Sequence, residues 1–146
     1  FCDMNAAYRG LDEITRKKID ALYAIHRFDR VFGKNLSDEK RAEMQAKFPP
    51  VRHPVVRTHP ESGLKSLYVN DSFVSHIDGM EENESRRLLD RLYRQASIPE
   101  YQVRFRWRVN SVAFWDNRAV QHYAAFDYPP QVRRVERVTI VGDRPA

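Results

Sequence analysis

Apolar residues recur along this chain in two rhythms. Leu11, Ile14, Ile19, Leu22, Tyr23 and Ile25 follow a helical spacing, and so do Leu88, Leu89, Leu92, Tyr93 and Ala96 up to Pro99, because residues three and four apart share one face of a helix. The pattern predicts a first helix from about Leu11 through Ile25, preceded by the end of a strand at Phe1 to Met4, and a second helix before Pro99. Beyond residue 100 the rhythm becomes two. Tyr101, Val103, Phe105, Trp107 and Val109 alternate with Gln102, Arg104, Arg106 and Arg108, which predicts a half-buried strand. Val112 to Trp115, after Asn110-Ser111, reads as its hairpin partner, Asp116-Asn117 as a further turn before Ala119 to Ala124, and Arg133 to Val141 alternates again before Gly142-Asp143. Leu67, Tyr68 and Val69 predict one more short strand.

Between Phe28 and Pro60 the rhythm lapses. Gly33, Pro49, Pro50, Pro54 and Pro60 punctuate this stretch, and Ser37-Asp38-Glu39-Lys40 is a helix start. Residues 28–60 therefore read as a lid or insertion loop region with a short helix inside it. No internal repeat, low-complexity tract or linker divides the chain, so 1–146 reads as a single domain. Strands gathered after residue 100 and joined by short turns give an α+β class, mainly β, with an antiparallel sheet and helices inserted ahead of it.

Composition narrows the function classes. The chain has 146 residues, 42% of them hydrophobic, and no apolar run comes near the ~20 residues that span a bilayer. A basic and then apolar leader is not visible either. Cys2 is the only cysteine, so neither an intrachain disulfide nor a cysteine-rich zinc site can form, and the cytoplasm is the expected compartment. Lys and Arg number 25 against 20 Asp and Glu, a net charge of +5 that suits small anions, nucleic acid or an anionic surface. Arg104, Arg106 and Arg108 interleaved with aromatics suggest a nucleic-acid platform, but strand parity sends rings and guanidinium groups to opposite faces, so neither face offers both. The pattern fits a core face backed by a solvated basic face.

The five histidines are His26, His53, His59, His76 and His122. Imidazole is the commonest metal ligand, and a non-haem iron site needs two histidines and a carboxylate on one face of the metal. His76-Ile77-Asp78 has the His-x-Asp form, with His122 downstream. Asp78-Gly79 also precedes a helix start, where a cap or turn explains the aspartate without a metal. His59-Pro60-Glu61 lies in the proline-rich stretch and is weaker.

The last third of the chain carries the strongest signal. Trp115-Asp116-Asn117-Arg118, Gln121-His122-Tyr123-Ala124, Asp127-Tyr128-Pro129-Pro130-Gln131-Val132-Arg133-Arg134 and Glu136-Arg137-Val138-Thr139-Ile140-Val141-Gly142-Asp143 closely resemble the C-terminal signature of the TauD/TfdA family of taurine dioxygenase-like enzymes. The likeness extends upstream through His53 to Pro60, Ser62-Gly63, Tyr68-Val69-Asn70 and Phe73. The resemblance implies a double-stranded β-helix (jelly-roll) core, incomplete here, and dependence on Fe(II), 2-oxoglutarate and O2. It implies hydroxylation of a small anionic organic substrate, probe candidates being a sulfonate such as taurine, an alkyl sulfate ester or an aryloxyacetate. Carried over by position, His122 is the distal iron ligand, Arg133 holds the far carboxylate of 2-oxoglutarate, Arg137 holds the anionic head of the substrate, and Phe73 and Phe32 line the substrate pocket. In the family a His-x-Asp pair and a 2-oxoglutarate-binding threonine precede the stretch resembling Phe1-Cys2-Asp3. The expectation is therefore that this chain is the C-terminal part of a longer enzyme and that His76 and Asp78 bind no metal.

Strand geometry agrees with the arginine pair. Arg133 and Arg137 share parity, so on a strand they would share a face about 13 Å apart at ~3.3 Å per residue, beside Val135, Thr139 and Val141. A guanidinium fork suits bidentate carboxylate recognition and keeps its charge when desolvated. The same residues also read as sheet-surface charges, and the resemblance is what favours the clamp. The partners expected are the anionic substrate, 2-oxoglutarate and O2, without nucleic acid or membrane, and with self-association (a homo-oligomer) left open. The rival readings are a basic nucleic-acid-binding β-rich module and a non-catalytic jelly roll.

Overall fold

Side-chain caps decide where the helices begin. The computed structural model describes residues 1–145. After a two-residue strand β1 (Cys2–Asp3), Asp3 accepts hydrogen bonds from the backbone N–H groups of Asn5 and Ala6 and opens α1 (Met4–Arg9). Asp12 does the same for α2 (Glu13–Ile19), its carboxylate accepting from Thr15 N at 2.9 Å. Each aspartate satisfies N–H groups that a helix start leaves without partners. Leu22, Tyr23 and Ile25 do not continue α2, contrary to the helical spacing. They belong to the turn after it and to β2 (Tyr23–His26), whose Ala24 is fully buried. Two strands, one on each side, take up the backbone of this segment, and tertiary pairing overrides the periodicity.

The region 28–60 is more structured than a loop. It holds α3 (Asp29–Phe32), α4 (Asp38–Lys47), β3 (Val51–Pro54) and β4 (Val56–Thr58). The helix start at Ser37 is as the sequence predicts, with Ser37 Oγ accepting from Lys40 N. The strands in its last third escaped the sequence reading because the prolines there sit at a strand end and in turns. Next come β5 (Lys65–Leu67), β6 (Val74–Ile77), α5 (Glu82–Gln95), a 3-10 turn at Pro99–Tyr101 and β7 (Val120–Gln121). The strand predicted at Leu67 to Val69 thus lies slightly earlier, and α5 contains the predicted leucine pattern but begins at Glu82, ahead of it.

Three small antiparallel sheets result, with strand orders β3-β2-β6, β4-β5 and β1-β7. Helix α5 lies on β6. Its Leu88, Leu89 and Leu92 are buried, and the buried Ser85 hydroxyl accepts from Ile77 N at 2.8 Å. Between them Gly79 takes φ 72°, a left-handed conformation that glycine enters without a Cβ clash. The core runs through Met4, Ala7, Ile19, Ala24, Val55, Leu67, Val69, Val74, Ile77 and Leu92. No described helix is long and apolar enough to cross a membrane.

The sheet predicted after residue 100 is the main correction. Val103 exchanges backbone hydrogen bonds with Phe1 and Gln102 bridges Cys2, but 104–109, 112–115 and 133–141 form no strand. The turns are present, with Asn110 at φ 64° and Ala119 N bonded to Asp116 O at 3.2 Å. Phe105 and Trp107, predicted to face a core, are 39% exposed each and pack against one another with centroids 4.9 Å apart. An alternating segment becomes a strand only when a neighbour takes its N–H and C=O groups, and for 104–109, 112–115 and 133–141 the described residues provide no such neighbour. The chain is therefore a mixed α and β structure with open sheets, and it does not close into a jelly roll within these residues.

Candidate functional site

His122 follows β7 directly, and its place is set by β1. Cys2 pairs with Gln121 and Asp3 with Val120, Met4 N donates to Ala119 O at 2.9 Å, and Gln121 Nε2 reaches Val69 O at 2.6 Å. The imidazole packs on Trp115 (centroids 5.0 Å) and Phe1 (5.9 Å). This partial burial, followed by the positive charge of Arg137 and the N-terminal ammonium, holds the His122 pKa below the ordinary histidine value. The ring therefore stays neutral near pH 7, the form in which a histidine nitrogen ligates a metal.

Of the predicted site residues, the structure brings Phe32 and Phe73 together, and the charge of Arg137 acts on His122 without a bond between them. Arg137 has no carboxylate partner among the described residues. Phe32 and Phe73 have ring centroids 6.3 Å apart, and Phe28 joins them, 4.4 Å from Phe32 and 4.5 Å from Phe48. This aromatic group is held by Asp29, which accepts two hydrogen bonds from Arg27 and one from Gln45 of α4 at 2.9 Å. Arg133 is placed over the Tyr128 ring, 5.7 Å from its centroid, and no hydrogen bond, ion pair or ring contact joins it or the phenylalanines to His122 among the described residues. Arg134 pairs with Glu136 at 3.2 Å. Val135 and Val141 are exposed.

A metal-site test gives a partial fit. Among the described residues no group of three His, Cys, Asp or Glu side chains is placed to hold a metal ion. His76 is beside Ser75, with Nδ1 2.9 Å from its hydroxyl, while Asp78 accepts from Arg52 at 2.7 Å. His59 lies 3.0 Å from Asp116. His59, His76 and Asp78 are thus engaged in structural bonds, while His26 Nε2 and His53 Nδ1 are buried without a hydrogen-bond partner. His122 has the chemistry of one metal ligand, and the described residues bring no further ligand to it.

Two features were invisible in the sequence. His26, His53 and Tyr68 form a ring cluster with centroid separations of 4.9, 5.8 and 5.7 Å. Burial and then the neighbouring His53 push the His26 pKa down to about 4, and burial followed by Arg144 and Arg57 lowers that of His53. The second is an open hollow of about 280 Å³ beside Phe1, lined by Cys2, Tyr101, Val103 and Val120 among others. None of the five predicted site residues lines it. No spacing rule marks either feature, because each joins strands distant in sequence.

Comparison with known proteins adds an independent line. The family model described as "Taurine catabolism dioxygenase TauD, TfdA family" matches residues 1–139. An alpha-ketoglutarate-dependent sulfate ester dioxygenase of Pseudomonas putida is 40% identical over 96% of this chain and 48% of its own length. An alpha-ketoglutarate-dependent 2,4-dichlorophenoxyacetate dioxygenase of a Burkholderia species is 36% identical over 99% of this chain and 48% of its own. The crystal structure of a taurine dioxygenase from Burkholderia xenovorans superposes with a TM-score of 0.66 and 38% identity, covering 81% of this chain and 36% of that one. The chain spans about half or less of the length of the curated relatives it matches.

Proposed function

Because this chain belongs to the taurine catabolism dioxygenase TauD, TfdA family, we propose that the protein of which it is a part is an Fe(II)- and 2-oxoglutarate-dependent dioxygenase. Its substrate is a small organic anion, a sulfonate or sulfate ester by preference. Three residues carry the chemistry of this half. His122 donates one nitrogen to the metal, Arg133 grips the far carboxylate of 2-oxoglutarate, and Arg137 grips the anionic head of the substrate. The single observation that best supports this is the family match over residues 1–139, within which His122 is held by β7 against the Trp115 and Phe1 rings.

Ferrous iron with 2-oxoglutarate supplies the oxidising power, while the protein positions the reactants. A guanidinium binds a carboxylate or sulfonate through two parallel N–H···O bonds, which fixes orientation as well as charge. Phe32 and Phe73 would line the apolar side of the substrate, so that its carbon rather than its anionic head faces the metal. In the complete protein the alternating segments 101–109 and 133–141 pair as strands of a jelly roll, which places Arg133 and Arg137 on one face. The single, buried Cys2 suits the reducing cytoplasm.

The test uses the full-length protein with Fe(II) and 2-oxoglutarate, measuring succinate together with sulfite or sulfate release from a panel of alkylsulfonates, sulfate esters and aryloxyacetates. Arg133→Ala is expected to raise the KM for 2-oxoglutarate by about 10- to 100-fold, on the scale of a lost charge-assisted hydrogen bond pair. Arg137→Ala is expected to raise the KM for the anionic substrate by a similar factor and to leave the 2-oxoglutarate requirement nearly unchanged. Equal effects of both variants on both terms would contradict the division of roles.

A further inference from the structure

The terminal segment 132–145 carries both arginines, yet no ladder of backbone hydrogen bonds holds it among the described residues. Its anchor is a side chain. Asp143 Oδ2 accepts from Arg57 Nη2 at 3.1 Å, and its other oxygen lies 3.9 Å from Arg118 Nη1. Arg57, on β4, has a side chain only 4% exposed and stacks 5.4 Å from the Tyr68 ring centroid. Arg118 is fixed in turn by Asp116 at 2.7 Å and Glu61 at 2.9 Å.

These bonds join two places that matter. Asp116 follows Trp115, the residue whose ring packs on His122, so Arg118 links the turn ahead of His122 to the end of the arginine segment. A buried guanidinium with one carboxylate partner is a poor device for stability alone, since an apolar residue in its place is often neutral or better. It is a good device for register. Arg137 lies six residues before Asp143, and a slip of one residue would shift it by about 3.3 Å and turn an extended segment over to its other face.

We propose that Asp143 is a positioning residue: bonded to Arg57 and 3.9 Å from Arg118, it sets the register of the terminal segment so that, once that segment pairs as a strand in the complete protein, Arg133 and Arg137 are presented on the side of His122. This rests on the anion-binding roles given above to those two arginines. The network acts through them and touches no substrate itself.

The experiment compares Asp143→Asn, Asp143→Glu, Arg118→Gln and Arg133→Ala in the full-length protein. Steady-state kinetics are read beside amide hydrogen exchange of the metal-free protein. Asp143→Asn is expected to raise the KM for both 2-oxoglutarate and the anionic substrate several-fold, with a smaller change in kcat. It should speed exchange in 132–141 without changing α5, and Arg118→Gln should do the same more weakly. Asp143→Glu, which keeps the charge, should recover most of both effects. Unchanged KM values and exchange in Asp143→Asn would overturn the proposal, and so would a loss of α5 protection in both network variants, which would assign the network to folding alone. If Arg133→Ala raises the 2-oxoglutarate KM while Asp143→Asn is silent, only the positioning role fails; if Arg133→Ala is itself silent, the proposed function fails first.

Discussion

Residues 1–101 and residues 102–145 carry equally clear amphipathic patterns and end in very different states. Among the described residues every buried apolar side chain lies between Cys2 and Leu92, while Phe114, Tyr123, Val132, Val138, Ile140 and Val141 stand in solvent. Both regions are rich in apolar residues, so apolar content does not separate them. Pairing does. A helix such as α5 satisfies its backbone within its own turns and needs only a surface to lie on, whereas an alternating segment needs a neighbour in register before its pattern has meaning. The first region contains its own neighbours, as β2 shows between β3 and β6. The second finds neighbours only for Gln102 and Val103, at Phe1–Cys2, and for Val120–Gln121, at β1, among the described residues.

The comparison is broken most forcefully in the core. Leu92 is fully buried, and Leu92→Ala is expected to destabilise the chain by about 2–5 kcal/mol through lost burial and a residual cavity. Ile140→Ala, with its side chain in solvent, should change stability by no more than ~0.5 kcal/mol. Urea unfolding of this chain reads both, and similar losses for the two would mean that the terminal segment has a core of its own. In the full-length protein Ile140→Ala should become several times more costly, if its partner strands are supplied there.

An intermediate effect comes from pH. His26 is kept neutral down to about pH 4 by burial and by His53, against 6.5 for a free histidine. Above pH 6.5 both states are neutral and stability is full. As the pH falls from 6.5 toward 4 the unfolded chain takes up the proton first, and stability is lost by roughly 2 kcal/mol. His26→Gln should flatten that part of the stability profile, and an unchanged slope would place the acid sensitivity elsewhere. The smallest effect belongs to Ser37→Ala. It removes the cap of α4, worth ~1 kcal/mol at most, from a helix with no buried residue. Faster amide exchange confined to 38–47, with an unchanged global transition, is the expected result.

Much of the first region was legible from periodicity and caps. The Ser37 cap and the leucine spacing of α5 needed no tertiary information. Ile25 misled, since its spacing from Leu22 suits a helix while its backbone pairs with Arg52 and His76. His122 stood out through the Gln121 to Ala124 motif, and the structure adds what the motif lacks, the Trp115 and Phe1 rings against it and Arg137 nearby. Asp143 carried no signal beyond its place after Gly142. The partner that gives it meaning, Arg57, is 86 residues away, and ion pairs at that range follow no spacing rule.

By itself the sequence determined the helix start at Ser37, the leucine face of α5, the turns at Asn110 and Asp116 and the family, because each is written within a few neighbouring positions; α1, capped by Asp3, escaped it. Tertiary structure alone decided which alternating segments became strands, which histidines lost their protons and which arginine took hold of Asp143. Those outcomes depend on what lies across a sheet or beside a ring, and the chain brings such neighbours together only by folding.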